Sequence, residues 1–126
     1  MSHKVRLLLL DDEPIKRVVM EEQLTEEGFI VDAYDNPLAA DDALTKNMYD
    51  VILTDIRMPG LDGISFLKKI KDKNPNQAVI LMTAFGTVET AIEAMKLGAF
   101  DYLQKPFSTE ELILKLDRLM NYRDIV

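Results

Sequence analysis

Asp11, Asp12 and Asp55 are the residues whose type and placement in this sequence can do chemistry together. Asp11 and Asp12 end an apolar run, Leu7 to Leu10, and Asp55 ends another that begins Val51-Ile52-Leu53. A lone acid at a strand end reads as readily as the cap of a turn as a functional group. Three acids on one edge of one sheet are different, because two carboxylates about 4 Å apart repel by roughly 4 kcal/mol at an effective dielectric near 20. They need a cation. Hard oxygen ligands with no His or Cys nearby point to Mg²⁺, which keeps several waters and leaves room for a phosphate oxygen. Lys105 supplies a point positive charge and Thr83 a hydroxyl, each at the end of a further apolar run. Metal, lysine and an in-line oxygen nucleophile are the parts that phosphoryl transfer requires. A carboxylate can serve as the acceptor by forming an aspartyl-phosphate. Asp55, between the acid pair and the Thr83–Lys105 flank, is the candidate acceptor.

Positioning these residues takes five strand–helix repeats. Val5 to Leu10 reads as a buried strand, and Pro14 suits the first turn of a helix. Ile15, Val18 and Val19 are the expected buried face of that helix, with Gly28 at its end. A shorter strand, Phe29 to Tyr34, contains Asp32. Asn36-Pro37 opens a second helix to about Asn47, anchored by Leu38 and Leu44. The strand 51–55 follows, broken afterwards by Pro59, Gly60 and Gly63. Asp62 caps a third helix carrying Ile64, Leu67 and Ile70, which Pro75 stops. Ala78 to Met82 is a fourth strand, closed by Thr83. Gly86-Thr87 opens a fourth helix with Val88, Ala91, Ile92 and Met95 at helical spacing, and Gly98 lies just past it. Phe100 to Leu103 is the fifth strand, leading to Gln104-Lys105-Pro106. Ser108 and Glu111 form a capping box for a last helix with Leu112, Ile113, Leu116, Leu119 and Met120 as its buried stripe. Parallel strands need crossovers, so the fold class is α/β with helices on both faces of the sheet. The apolar first, third and fourth strands belong in the centre and the second and fifth at the edges. That is the flavodoxin-like order 2-1-3-4-5, whose ligand crevice lies between strands 1 and 3.

Bulk properties narrow the function. A chain of 126 residues fits one domain. Its net charge of −7 argues against direct contact with nucleic acid, which needs a basic face. No cysteine is present, so thiol catalysis and thiolate metal sites are absent and a reducing compartment suits the chain. Asp11 to Glu13 cut the opening apolar stretch too short for a signal peptide or a membrane span, which leaves the cytoplasm as the expectation. The single histidine, His3, sits near a terminus with no role assigned. Glu21-Glu22 and Glu26-Glu27 read as a solvated helix face, and the methionines as packing.

In order, Asp11-Asp12, Asp55 with Met58-Pro59-Gly60 and Asp62-Gly63, Thr83-Ala84 and Lys105-Pro106 resemble the response regulator receiver domain of bacterial two-component signalling. The resemblance spans essentially the whole chain and implies a CheY-like fold. It places the receiver over residues 1–121, with 122–126 the end of the last helix or the start of a linker to an effector domain. It implies that Asp55 takes a phosphoryl group from a phosphohistidine of a sensor histidine kinase. Asp12, Asp55 and the backbone carbonyl of Arg57 would bind Mg²⁺, and Asp11 would reach it through water. Lys105 would pair with the phosphoryl oxygens, the Lys105–Pro106 bond would be cis, and Thr83 and Tyr102 would form a switch. Such a protein catalyses only its own phosphorylation and dephosphorylation. Its output surface would be the fourth helix, fifth strand and last helix, meeting a second receiver or an effector domain. The stretch Ala84-Phe85-Gly86-Thr87 through Gly98-Ala99-Phe100-Asp101-Tyr102 is similar to receivers of AAA+ activators of an alternative sigma factor, which implies transcription regulation as output. Two rivals remain. A haloacid-dehalogenase-type phosphatase also uses a strand-end Asp but needs a second acid two residues on, where Arg57 stands. A receiver-like interaction module that is never phosphorylated would have no need of the acids, Thr83 and Lys105.

Overall fold

Strands made of uninterrupted apolar residues must be covered on both faces, and the helices here do that. The computed structural model describes residues 4–58, 61–84 and 88–125. Five strands, β1 (Arg6–Leu10), β2 (Ile30–Tyr34), β3 (Val51–Asp55), β4 (Ala78–Thr83) and β5 (Asp101–Gln104), form one parallel sheet in the order β2-β1-β3-β4-β5. They alternate with α1 (Pro14–Glu26), α2 (Pro37–Lys46), α3 (Gly63–Lys73), α4 (Val88–Lys96) and α5 (Thr109–Ile125). Fold class, strand order and edge strands are those the sequence predicts. Pro59-Gly60 and Gly86-Thr87, expected to break or open elements, lie outside the described residues, as do His3 and Phe85.

The two-residue period of the strands divides the core in two. Leu8, Leu10, Ile52, Val79 and Leu81 pack with Ala40, Ala43, Phe66, Leu67, Ile70 and Ala94 from α2, α3 and α4. Leu7, Leu9, Val51, Leu53, Ile80 and Met82 pack on the other face with Leu24 of α1 and Leu112, Leu116 and Leu119 of α5. The stripe expected for α5 is observed, with Ile113 and Met120 at its margin. At the sheet end remote from Asp55, the Tyr49 hydroxyl donates to Asp32 at 2.6 Å, which satisfies the acid in edge strand β2.

Helix rotation differs from expectation in α1 and α2. Ile15, Val18 and Val19 are exposed rather than buried, and α1 turns Leu24 and Met20 to the sheet. Its inner stripe is Arg17–Met20–Leu24, with the Arg17 guanidinium donating to the backbone carbonyl of Asp11 at 3.0 Å. A polar partner at the start of the helix thus fixes a rotation that apolar spacing alone assigns differently. In α2, Leu38 is exposed and Leu44 only partly buried, while Ala40 and Ala43 are fully covered. Small residues let that helix lie close to the sheet, and Leu38 then points away. In α4 the buried contact is Ala94, and Ile92 and Met95 remain exposed.

Chain reversals follow local chemistry. Gly28 and Gly98 have φ of +100° and +103°, where an L side chain is strained. Asn36 caps α2 through Ala39 N–H, and Asp62 caps α3, accepting from Ile64 N–H and the Ser65 hydroxyl. Ser108 Oγ accepts from Glu111 N–H at 3.0 Å at the start of α5.

Candidate functional site

Strand register brings the candidate residues to one edge. Leu10 pairs with Thr54, Asp55 with Met82, and Thr83 with Gln104. Residues at or just beyond these positions, namely Asp11, Asp12, Asp55, Thr83 and Lys105, therefore share the C-terminal end of the sheet, where open α/β sheets place ligands. Lys105 N–H donates to the Thr83 carbonyl at 2.7 Å, and the Lys105–Pro106 bond is cis. An open cavity at this edge is lined by Asp12, Glu13, Asp55, Thr83, Ala84 and Lys105, among others.

The loop after Asp55 doubles back tightly. Arg57–Met58 and Leu61–Asp62 form a two-residue antiparallel ladder, and Gly63 N–H donates to the Ile56 carbonyl at 2.8 Å. A Cβ on Gly63 would stand 2.4 Å from the Ile56 backbone, so only glycine fits there. That contact fixes the turn immediately beyond Asp55.

Asp11, Asp12 and Asp55 each present an oxygen within 4.8 Å of the others. Asp11 is fully buried and Asp55 nearly so. Asp11 Oδ1 accepts from Glu13 N–H at 3.0 Å, which fixes its carboxylate in the turn between β1 and α1. Lys105 Nζ lies 2.8 Å from Asp55 Oδ1, 3.4 Å from Asp11 Oδ2 and 3.4 Å from Glu13 Oε2. Burial pushes the Asp55 carboxyl up to about 7; a hydrogen bond with Asp11 adds to this, and Lys105 only partly opposes it. Burial disfavours the Lys105 charge, but Asp55, Asp11 and Glu13 together outweigh that and hold its pKa above the ordinary value. The site is electron-rich and short of positive charge. Hard carboxylate oxygens, gathered with no nitrogen or sulfur donor among them, are a donor set that suits a hydrated divalent cation.

Two further expected residues are Tyr102 and Arg57, the second through its backbone carbonyl. Tyr102 is half-exposed and lines a shallow groove with Ala91, Ile92 and Met95 of α4. Arg57 lies in the short ladder beyond Asp55. Glu13 and Arg17 were not anticipated as site residues. Glu13 directly follows the acid pair and precedes the helix-starting Pro14, which was the available signal.

Comparison with known proteins agrees with this geometry. Residues 7–117 match the family described as response regulator receiver domain. The chain is 41% identical over 114 residues to the DNA-binding transcriptional regulator NtrC of Klebsiella pneumoniae, covering 90% of this chain and 24% of that protein. It is 35% identical over 123 residues to the C4-dicarboxylate transport transcriptional regulatory protein DctD of Pseudomonas aeruginosa, covering 98% of this chain and 27% of that protein. It therefore spans about a quarter of the length of these relatives. Among solved structures, the beryllofluoride-activated NtrC4 receiver domain dimer superposes with a TM-score of 0.88 at 34% identity, over 93% of this chain and 97% of that one. A receiver domain from Clostridium thermocellum superposes at 0.89 with 32% identity, over 96% and 98%.

Proposed function

Since the chain belongs to the response regulator receiver domain family of two-component systems, we propose that it is a phosphorylation switch with Asp55 as acceptor and a sensor histidine kinase as donor. The observation that carries this reading is the 2.8 Å contact of Lys105 Nζ with Asp55 Oδ1 inside a cluster of three carboxylates. An Asp55 oxygen attacks phosphorus as the P–N bond to the donor imidazole breaks, and its electron pair leaves with the imidazole, which takes up a proton. Asp55 must be ionised to attack, and Lys105 favours that form. As the phosphoryl oxygens gain charge, the Lys105 ammonium follows them outward, and the Thr83 hydroxyl at the cavity wall donates to one of them. Asp12, Asp55 and the Arg57 carbonyl would hold Mg²⁺, with Asp11 reaching it through water. When bound, Mg²⁺ neutralises phosphoryl charge that the carboxylates would otherwise repel. The chain accordingly acts on itself alone, catalysing only its own phosphorylation and dephosphorylation.

The output reading rests on the exposed face built from α4, β5 and α5. Movement of Thr83 toward a phosphoryl group frees space beside β4, and Tyr102 on the neighbouring strand turns inward to fill it. Its present groove against α4 then empties, and the three elements change their outer surface together. A second receiver or an effector domain docks there. The solved dimer of a similar receiver and the regulators of transcription among the relatives support this reading, with regulation of transcription as the output and the cytoplasm as location. Among the described residues no helix is long and apolar enough to cross a membrane. Amide NMR with Mg²⁺ and beryllofluoride, a phosphoryl mimic, tests the reading. Wild type should shift at the site and along α4 and β5. Asp55→Asn should show neither change, and Thr83→Ala the first without the second. A wild-type response confined to the loops beside Asp11 and Asp55 would refute the relay.

A further inference from the structure

Glu13 takes no part in the chemistry above, yet it touches the ammonium on which that chemistry depends. Its Oε2 lies 3.4 Å from Lys105 Nζ and 3.5 Å from Lys16 Nζ. Unlike Asp11 and Asp55, which are 0% and 8% exposed at the side chain, Glu13 is 48% exposed. It therefore meets Lys105 at the solvent-exposed part of the cavity that both line. Its backbone is fixed: the N–H donates to Asp11 Oδ1, and the carbonyl accepts from Arg17 N–H at 2.9 Å. Its carboxylate is not among the three whose oxygens cluster within 4.8 Å, so it is dispensable for that set.

Charge decides what Glu13 does. Lys105 already has two buried carboxylates, one at 2.8 Å, and needs no third to hold it in place. A phosphoryl group on Asp55 puts nearly two negative charges, spread over three outer oxygens, in place of the carboxylate's one. Lys105 must turn from its carboxylates to the phosphoryl oxygens. We propose that Glu13 is a positioning residue that competes with the phosphoryl group for Lys105 and repels the arriving anion, so that it weakens the site's hold on phosphate and on its donors. The inference rests on Asp55 being the acceptor. Because Glu13 is half-exposed, the repulsion acts partly through solvent and is screened by salt.

The test uses the full chain with Mg²⁺ and a small acyl phosphate donor, and follows phosphorylation rate against donor concentration. Glu13→Gln and Glu13→Ala, which remove the charge with and without keeping the shape, should both lower the half-saturating donor concentration, by about three- to tenfold at low salt. The maximal rate should stay within about twofold. High salt should shrink the difference from wild type. Glu22→Gln, an exposed change on α1 of equal charge, should have no such effect. Labelling of wild type with unchanged or raised half-saturation in both Glu13 variants overturns the inference and leaves the acceptor assignment standing. So does a benefit that salt does not diminish. Absence of labelling in wild type overturns both.

Discussion

Asp55 is held where ionisation is costly, and its chemistry requires ionisation. Its carboxyl is pushed up to about 7, first by burial and then by Asp11. Its ordinary value is 3.8, so between these two values the folded protein keeps a proton that the unfolded chain has lost. Such a group stabilises the fold fully below the unfolded value, and the benefit disappears as pH rises through the folded one. Metal-free protein should therefore lose roughly 2–4 kcal/mol between pH 5 and pH 8 by urea melts, and Asp55→Asn should lose much less. Equal slopes in the two proteins would mean that Asp55 is not the titrating group. A bound divalent cation favours the ionised form, so Mg²⁺ should flatten the wild-type slope. At this scale the sequence was informative. Acids, Thr83 and Lys105 each follow an apolar run, and parallel strands align their ends. Glu13 carried a signal in its place between the acid pair and the helix-starting Pro14, whereas Arg17 was illegible because its role comes from how α1 is rotated, which no local spacing encodes.

At the scale of elements, helix rotation was the part the sequence obscured. Apolar spacing in α1 supports Ile15–Val18–Val19 as readily as Met20–Leu24, and only packing distinguishes them. Leu24 is fully buried, so Leu24→Ala should cost about 2–5 kcal/mol in a denaturant melt. Ile15 is 80% exposed, and Ile15→Ser should cost at most about 0.5 kcal/mol. A reversed order would restore the rotation that spacing suggests. In α2 the same ambiguity arose because periodicity weights Leu38 above alanine, whereas close approach to a sheet rewards Ala40 and Ala43. The turn beyond β3 is better specified by sequence, since Gly63 admits no alternative. Gly63→Ala should cost about 1–3 kcal/mol and weaken Mg²⁺ binding, because the displaced Ile56 backbone adjoins Asp55. Unchanged Mg²⁺ affinity by calorimetry, despite lost stability, would separate that turn from the metal site.

For the whole molecule, the sheet order and its two-sided core follow from uniform strands and short crossovers, and both were legible. What covers the outer surface was not, because an apolar residue on an amphipathic helix can face the core or a partner. Ile92 and Met95 of α4 and Tyr102 of β5 lie exposed together on the proposed output face. If a second receiver docks there on activation, beryllofluoride should raise the sedimentation coefficient of wild type and leave that of Ile92→Glu unchanged. An identical rise in both would move the interface elsewhere. Beneath that output lies the assignment of the acceptor, and one measurement reaches it most directly. Intact-mass spectrometry after incubation with a small acyl phosphate and Mg²⁺ should find one phosphoryl group on wild type and none on Asp55→Asn. Equal labelling of the two proteins would contradict the account.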